Sequence, residues 1–364
     1  MTLEHIVRKV RDGNRISPEE GLFLLRNAEL LDVGDLANEI RFRKNPNQWV
    51  TFLLDTNPNY SNVCDIDCIF CAFYRHAGEK GAYRYSVDQL IQKFKEAAAS
   101  GITTVLLQGG VDPTIPFEYY CELVERSVKE VPEIYPHFFS TSEIIGMSHV
   151  SGLSIRLVLE KLWEKGLRSL PGGGAEILSD RVKKKISSRK GSSADWLNVM
   201  RIAHTIGYKS TATMMYGHLE TEEDIVEHLE AIRQLQEETG GFTAFVPWSF
   251  KPGNTPLEKI IPHYATSTRY LQMIAFSRIY LDNFQHIQAS WFSEGKKIGQ
   301  IALHFGGDDF GGILLEENVH AAANFVNTTS MEDCKNLIRE AGFIPAQRTT
   351  LYEILNVEKV EAAA

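Results

Sequence analysis

Cys64-Asp65-Ile66-Asp67-Cys68-Ile69-Phe70-Cys71 places three thiols in the spacing C-x3-C-x2-C. The other two cysteines, Cys121 and Cys334, lie far away in the chain. Three close thiolates without a local fourth suit an iron–sulfur cluster in which one iron stays open to a ligand. Structural zinc normally closes its site with four ligands, and His76, five residues beyond Cys71, could be a fourth. Five cysteines in a chain of 364 residues are too few, and odd in number, for a disulfide framework.

Outward from this stretch, strand and helix signals alternate. Before it, Val50–Asp55 is a short apolar run, as a parallel strand buried on both faces should be. After it, Ser86-Val87-Asp88-Gln89 is a capping box opening a helix to Ser100, followed by a strand at Thr103–Gln108. A helix near Phe117–Glu130 precedes a strand over His137–Thr141. A helix over Ile155–Lys165 leads to a brief strand at Leu167–Leu170. Ala194–Ile206 reads as helix, Ser210–Met215 as strand, Glu222–Glu238 as helix and Phe242–Val246 as strand. A helix near Tyr264–Asn283, a strand at Ile287–Trp291 and an irregular eighth near Ala302–Phe305 complete the series. The pattern predicts an α/β fold, a parallel (β/α) barrel with an outer ring of helices. A doubly wound open sheet is the other arrangement. Residues 1–48 form a helical extension, with Ser17-Pro18-Glu19-Glu20 as a helix start, and residues 49–329 form the barrel. Residues 330–364 form a C-terminal helical segment, with a helix at Met331–Ala341, Pro345 ending regular packing and Ala362-Ala363-Ala364 as the one low-complexity run.

Composition narrows the class. Hydrophobic content of 43% and charged content of 23% are those of a globular protein, and a net charge of −9 argues against a nucleic-acid surface. No apolar run reaches the length of a membrane span, and Met1–Gly13 lacks a signal-peptide core. With reduced thiols, these features predict a cytoplasmic protein.

In a parallel barrel the loops after the strands carry function. Those loops hold Gln108-Gly109-Gly110, Ser140-Thr141-Ser142-Glu143, Gly172-Gly173-Gly174-Ala175-Glu176, Tyr216-Gly217-His218, Trp248-Ser249-Phe250 and His304–Gly312. Glycine lets backbone approach a ligand closely.

The cysteine spacing resembles that of the radical S-adenosylmethionine (SAM) enzymes. The resemblance implies a 4Fe–4S cluster on Cys64, Cys68 and Cys71, whose open iron binds SAM and cleaves it to a 5′-deoxyadenosyl radical. It implies that Gln108, Gly109 and Gly110 meet the methionine part of SAM, although Val111 stands where an acidic residue is usual and Asp112 follows one position later. It implies that Phe70 lies beside the adenine and that Ser140, Ser142 or Glu176 holds the ribose hydroxyls. Leu107–Gly110, Leu170–Glu176 and Thr213–Glu220 are similar to the menaquinone and deazaflavin branch of that family, and Phe245–Pro252 and Glu316–Val319 resemble its futalosine-cyclising members.

The implied reaction removes the C4′ hydrogen of a ribose that carries a benzoate through a ketone linker. The carbon radical then attacks the aromatic ring. Glu143, Asp308 and Asp309 are expected on the substrate's hydroxyls; Arg75, His218 and His304 on its carboxylate; Trp248 along its ring; and Tyr216 or His218 as the base. The expected partners are a small-molecule substrate and a low-potential electron donor such as flavodoxin or ferredoxin.

Overall fold

The computed structural model describes residues 1–358. The terminal run of three alanines lies outside them. Among the described residues there are eleven strands: β1 (Trp49–Leu53), β2 (Asp55–Thr56), β3 (Thr104–Leu107), β4 (Tyr135–Phe138), β5 (Ser169–Leu170), β6 (Lys209–Tyr216), β7 (Phe242–Ser249), β8 (His286–Ile287), β9 (Asp309–Gly312), β10 (Ile344–Arg348) and β11 (Ile354–Val357).

Three parallel runs make a barrel. β2-β3-β4 and β5-β6-β7-β8 are two of them, and β1 lies between β9 and β10 in the third. β1 and β2 are one strand interrupted at Leu54. β8 joins β9 through the Gln288–Asp309 bridge and a 2.7 Å bond from the Ala289 amide to the Asp309 carbonyl. Between β4 and β5 there is no ladder among the described residues; there the His137 imidazole meets the Ser169 hydroxyl instead.

The outer ring is formed by Val87–Ala99, Phe117–Glu130, Ile155–Glu164, Ser193–Ile206, Glu222–Thr239 and Ser267–Tyr280, close to the predicted spans. The capping boxes at Ser17 and Ser86 are both formed. The N-terminal helices Pro18–Asn27 and Leu30–Lys44 lie against Glu222–Thr239 and Ser267–Tyr280, so the extension thickens the ring on one side.

The structure corrects three expectations. Ser140–Glu143 is not a loop: Ser140 and Glu143 make a capping box that opens a helix over Thr141–Ser151. The eighth strand is not at 302–305, which is the end of the helix Lys296–Ala302 and the turn after it; β9 follows at Asp309–Gly312. Pro345 does not end regular packing. It sits within β10, which pairs with β1 at Val50↔Pro345 and with β11 on its other side, where its carbonyl accepts the Glu358 amide (3.1 Å). The C-terminal segment is thus a helix (Met331–Glu340) followed by a hairpin whose first strand extends the barrel sheet.

Two buried ion pairs lock this closure. Asp308 accepts from the Ile287 amide (2.8 Å), pairs with His286 (2.6 Å) and Arg278, and takes the Asn45 amide at 2.7 Å. Burial opposes its charge, but Arg278 and His286 outweigh burial and hold the carboxyl down at about 2. Asp309 is gripped at both oxygens by the Arg348 fork and also takes the Thr51 hydroxyl (2.6 Å), which ties β9 to β10 and β1. Replacing Arg348 by Met should strand a buried carboxylate and cost about 3–5 kcal/mol, read by urea unfolding; adding Asp309→Asn should recover most of the loss.

Candidate active site

The cysteine loop leaves the top of β2 and is stitched down by backbone bonds. The Gly110 amide donates to Ser61 O (2.8 Å), Asp65 to Val111 O (3.1 Å), Cys64 to Arg75 O (3.0 Å) and Ile69 to Ile186 O (2.9 Å). Gly110 has no room for a side chain: a Cβ there would lie 2.0 Å from the Val63 carbonyl oxygen and 3.0 Å from Cys64 Cβ. Beneath the neighbouring Gly109 lies the Tyr60 ring, buried, with its hydroxyl donating to Gly110 O (3.2 Å).

Three soft sulfur donors on one short loop fit an iron–sulfur centre. Burial pushes the Cys68 thiol up to about 12 and raises Cys64 as well, while the Lys190 ammonium pulls both the other way. Such thiols become anionic ligands when a cationic centre is bound. Lys190 is salt-bridged to Glu176 (2.7 Å) and lies 5.2 Å from the centre of the Phe70 ring. His76 pairs with Asp67 at 3.4 Å.

Below this loop the barrel holds a partly open cavity of about 280 Å³. Gln108, Glu176 and Trp248 line it, together with the Gly172–Gly174 loop. Its aromatic wall comes from three different strand ends: Trp248, Phe292 and His320, with the His320 and Phe292 rings stacked at 4.6 Å and 13°. Its floor carries Arg348, Thr350 and Tyr352 from the C-terminal hairpin.

Ser140 and Glu143 support the glycine loop from behind. The Glu143 carboxylate accepts the Gly109 amide (3.0 Å), the Ser140 amide (2.7 Å) and the Ser140 hydroxyl (2.6 Å), and burial raises it to about 7. Glu143 therefore braces the glycine loop and does not line the cavity. Ser142 is buried in the same first helical turn, near Gly174.

Other expected residues are placed elsewhere. Tyr216 is on the wrong face of β6: Thr211 and Thr213 point into the cavity, so alternation turns Tyr216 outward, toward Ser249, Tyr270 and Glu294. His218 is buried beyond the strand end, with Nε2 3.0 Å from Met215 O and Nδ1 3.3 Å from Glu220. Arg75 spends its guanidinium on the carbonyls of Ala72 (3.0 Å) and Tyr74 (2.6 Å), bracing the cysteine loop. His304 is exposed before β9 and packs on Phe343. Asp308 and Asp309 are the ion-paired locks described above. Neither Tyr216, His218 nor His304 lines the cavity.

Asp55, His137, His320 and Arg348 line it and were not singled out from the sequence; Glu317 lines it too and lies in the Glu316–Val319 stretch named above for its resemblance, without a role. Asp55 and His137 had a signal, since each lies in a segment read as a strand. Glu317, His320 and Arg348 follow irregular chain that no periodicity marks.

The barrel, the thiol loop and the glycine loop together define a radical SAM protein. The chain matches the Radical SAM superfamily over residues 58–232 and the CofH/MqnC C-terminal region over residues 239–361. It is 38% identical to the cyclic dehypoxanthine futalosine synthase of Halalkalibacterium halodurans, across 100% of this chain and 98% of that one. It is 37% identical to the aminodeoxyfutalosine synthase of Thermus thermophilus, across 98% and 97%. Among solved structures, methylornithine synthase aligns with a TM-score of 0.71 at 21% identity, covering 94% of this chain and 97% of that one, and shares the fold. The chain belongs to the radical SAM superfamily, in the group that carries the CofH/MqnC C-terminal region, and it is an enzyme. That superfamily uses a 4Fe–4S cluster and SAM. Among the described residues, no helix is long and apolar enough to cross a membrane.

The Gly110 contact generates a test. Gly110→Ala should keep the barrel's circular dichroism yet lose bound iron and sulfide after anaerobic reconstitution, as Cys68→Ala should, relative to about four of each per chain in the parent.

Proposed function

We propose that this enzyme cyclises dehypoxanthine futalosine in menaquinone biosynthesis. The likeness to a cyclic dehypoxanthine futalosine synthase over essentially the whole of both chains carries the reading. The chemistry of the cavity supports it. Its polar side, with Gln108 and Glu176, suits a sugar and the cofactor, and the wall of Trp248, Phe292 and His320 suits an aromatic ring.

Cys64, Cys68 and Cys71 would hold the cluster, and the Gly109–Gly110 backbone, bare of side chains and with its amides bonded to Glu143 and Ser61, leaves room for SAM close beside them. Bound there, cluster and SAM supply the abstraction of a hydrogen atom from C4′ of the substrate ribose. The chain's own part is position and exclusion. The enclosing barrel keeps water and other hydrogen donors from a carbon radical, and the fixed walls hold the aryl carbon within bonding reach of C4′. The electron that starts each turnover would come from a low-potential donor of the flavodoxin or ferredoxin kind.

A second reading is addition to an enolpyruvyl ether, as the 37% identity to an aminodeoxyfutalosine synthase suggests. Reconstituted protein with SAM and reductant should convert dehypoxanthine futalosine to a product lighter by two hydrogens, and a C4′ deuterium should appear in 5′-deoxyadenosine. Turnover of the enolpyruvyl ether alone would reject the proposal. One zinc per chain without sulfide would reject radical chemistry altogether.

A further inference from the structure

Cyclisation, on the reading above, removes two hydrogens from the substrate. One leaves C4′ as a hydrogen atom. When the C4′ radical bonds to the ring, the attacked carbon still keeps its hydrogen and an unpaired electron spreads over the ring. Aromaticity returns when that hydrogen leaves as a proton and one electron passes to an oxidised iron–sulfur centre. The proton needs an acceptor in the cavity, with a free lone pair.

Few groups qualify. Glu176 has a second oxygen without a hydrogen bond, but a cation faces each of its oxygens, Lys190 at 2.7 Å and Lys183 at 3.9 Å, and the Glu317 carboxylate caps the amides of Val319 (2.8 Å) and His320 (3.0 Å). Arg348 is a cation committed to Asp309. His137 is tied to Ser169, and His320, whose Nδ1 has no partner, is stacked on Phe292 near the Lys251 ammonium; burial pushes both imidazoles down to about 3. Asp55 remains. It is buried at the cavity wall, and its carboxylate lies against Gly312, where an added Cβ would come within 2.0 Å of Oδ1 and 2.1 Å of Oδ2. The Leu314 amide fixes Oδ1 at 2.8 Å, while no side chain or neighbouring amide among the described residues donates to Oδ2.

We propose that Asp55 is the catalytic base, taking the ring proton on Oδ2. Gly312 is glycine because that carboxylate needs its place. Burial raises the group to about 6, so it is mostly ionised at neutral pH yet basic enough to accept a proton. The charged or titratable groups that face it are Arg348 and Asp309 on the two flanking strands, β10 and β9, and the Cys334 thiol on the helix behind.

The test reads partition, not rate alone. Asp55→Asn keeps the Oδ1 acceptor for Leu314. With substrate, SAM and reductant it should still release 5′-deoxyadenosine, while cyclised product falls about 100-fold or more. A ring-centred radical should accumulate in freeze-quenched paramagnetic resonance spectra. In the parent protein the product-to-deoxyadenosine ratio should drop as pH falls through about 6, because the base is then protonated. Infrared difference spectra of the cluster-free parent should show a buried carboxyl titrating in the same range, which serves if the variant does not fold. An Asn variant with the parent's ratio, or with both products lowered together, would overturn the assignment. A parent protein that makes no cyclised product would overturn the function proposed above, and this assignment with it; a parent that cyclises beside an Asn variant of unchanged ratio would overturn this assignment alone.

Discussion

The contact on which the site depends is the seating of Val63 and Cys64 against the bare backbone of Gly110. Two loops from neighbouring strands meet there without a side chain between them. The approach brings a row of thiols suited to soft metal beside a glycine backbone whose amides are already bonded to Ser61 and Glu143, so the loop is held at a fixed distance from the sulfurs. Tyr60 and Glu143 hold the arrangement from below, through Gly110 O and the Gly109 amide. None of these contacts is long-range in energy, yet each fixes a position. Positioning is what a barrel can give to radical chemistry, since the bond-breaking power belongs to the cofactor.

The opposite end of the barrel solves a different problem. Short strands, three of them only two residues long, make poor ladders. Closure relies instead on side chains: Arg278 and His286 on Asp308, and Arg348 on Asp309. Such pairs add little net stability over an apolar core, but they are directional and select one register of β8, β9 and β10. This is why aspartates in a glycine-rich stretch, which look like ligand contacts when read as a string, prove to be locks. The carboxylates at 308 and 309 already have their cations.

The alternation of apolar runs and capped helices was legible in the sequence because both signals are local. Capping boxes at Ser17 and Ser86 formed where expected, and the Phe117–Glu130 helix was placed to the residue. The cysteine loop and Gly109-Gly110 also announced themselves by spacing. What failed was orientation. Tyr216 follows a strand as an active-site residue should, but a period of two decides which face it serves, and the register was visible only once Thr211 and Thr213 were seen inside. β9 and β10 escaped because Asp, Gly and Pro are poor strand formers, so pairing partners far along the chain impose those strands. Asp55 was passed over as the end of a strand; only the tertiary arrangement shows that it has no cation.

Asp55 and Asp309 make the sharpest contrast in the molecule. Both are buried inside one barrel, and Arg348 is near both. Arg348 has one fork, and Asp309 takes both of its arms. Asp55 is left with backbone amides, that of Leu314 and its own, so desolvation prevails and its pKa rises from 3.8 to about 6. Folding therefore favours the protonated form. The cost of ionising Asp55 is absent below about pH 4, grows between there and pH 6, and is full above, where a shift of this size corresponds to about 3 kcal/mol. A neutral side chain at 55 would avoid that cost, and a side chain at 312 could then fill the space the carboxylate holds. A cavity that keeps both Asp55 and Gly312 bears a destabilising charge at neutral pH, and among the groups lining it that charge has one evident use: a lone pair held in reach of whatever the cavity encloses.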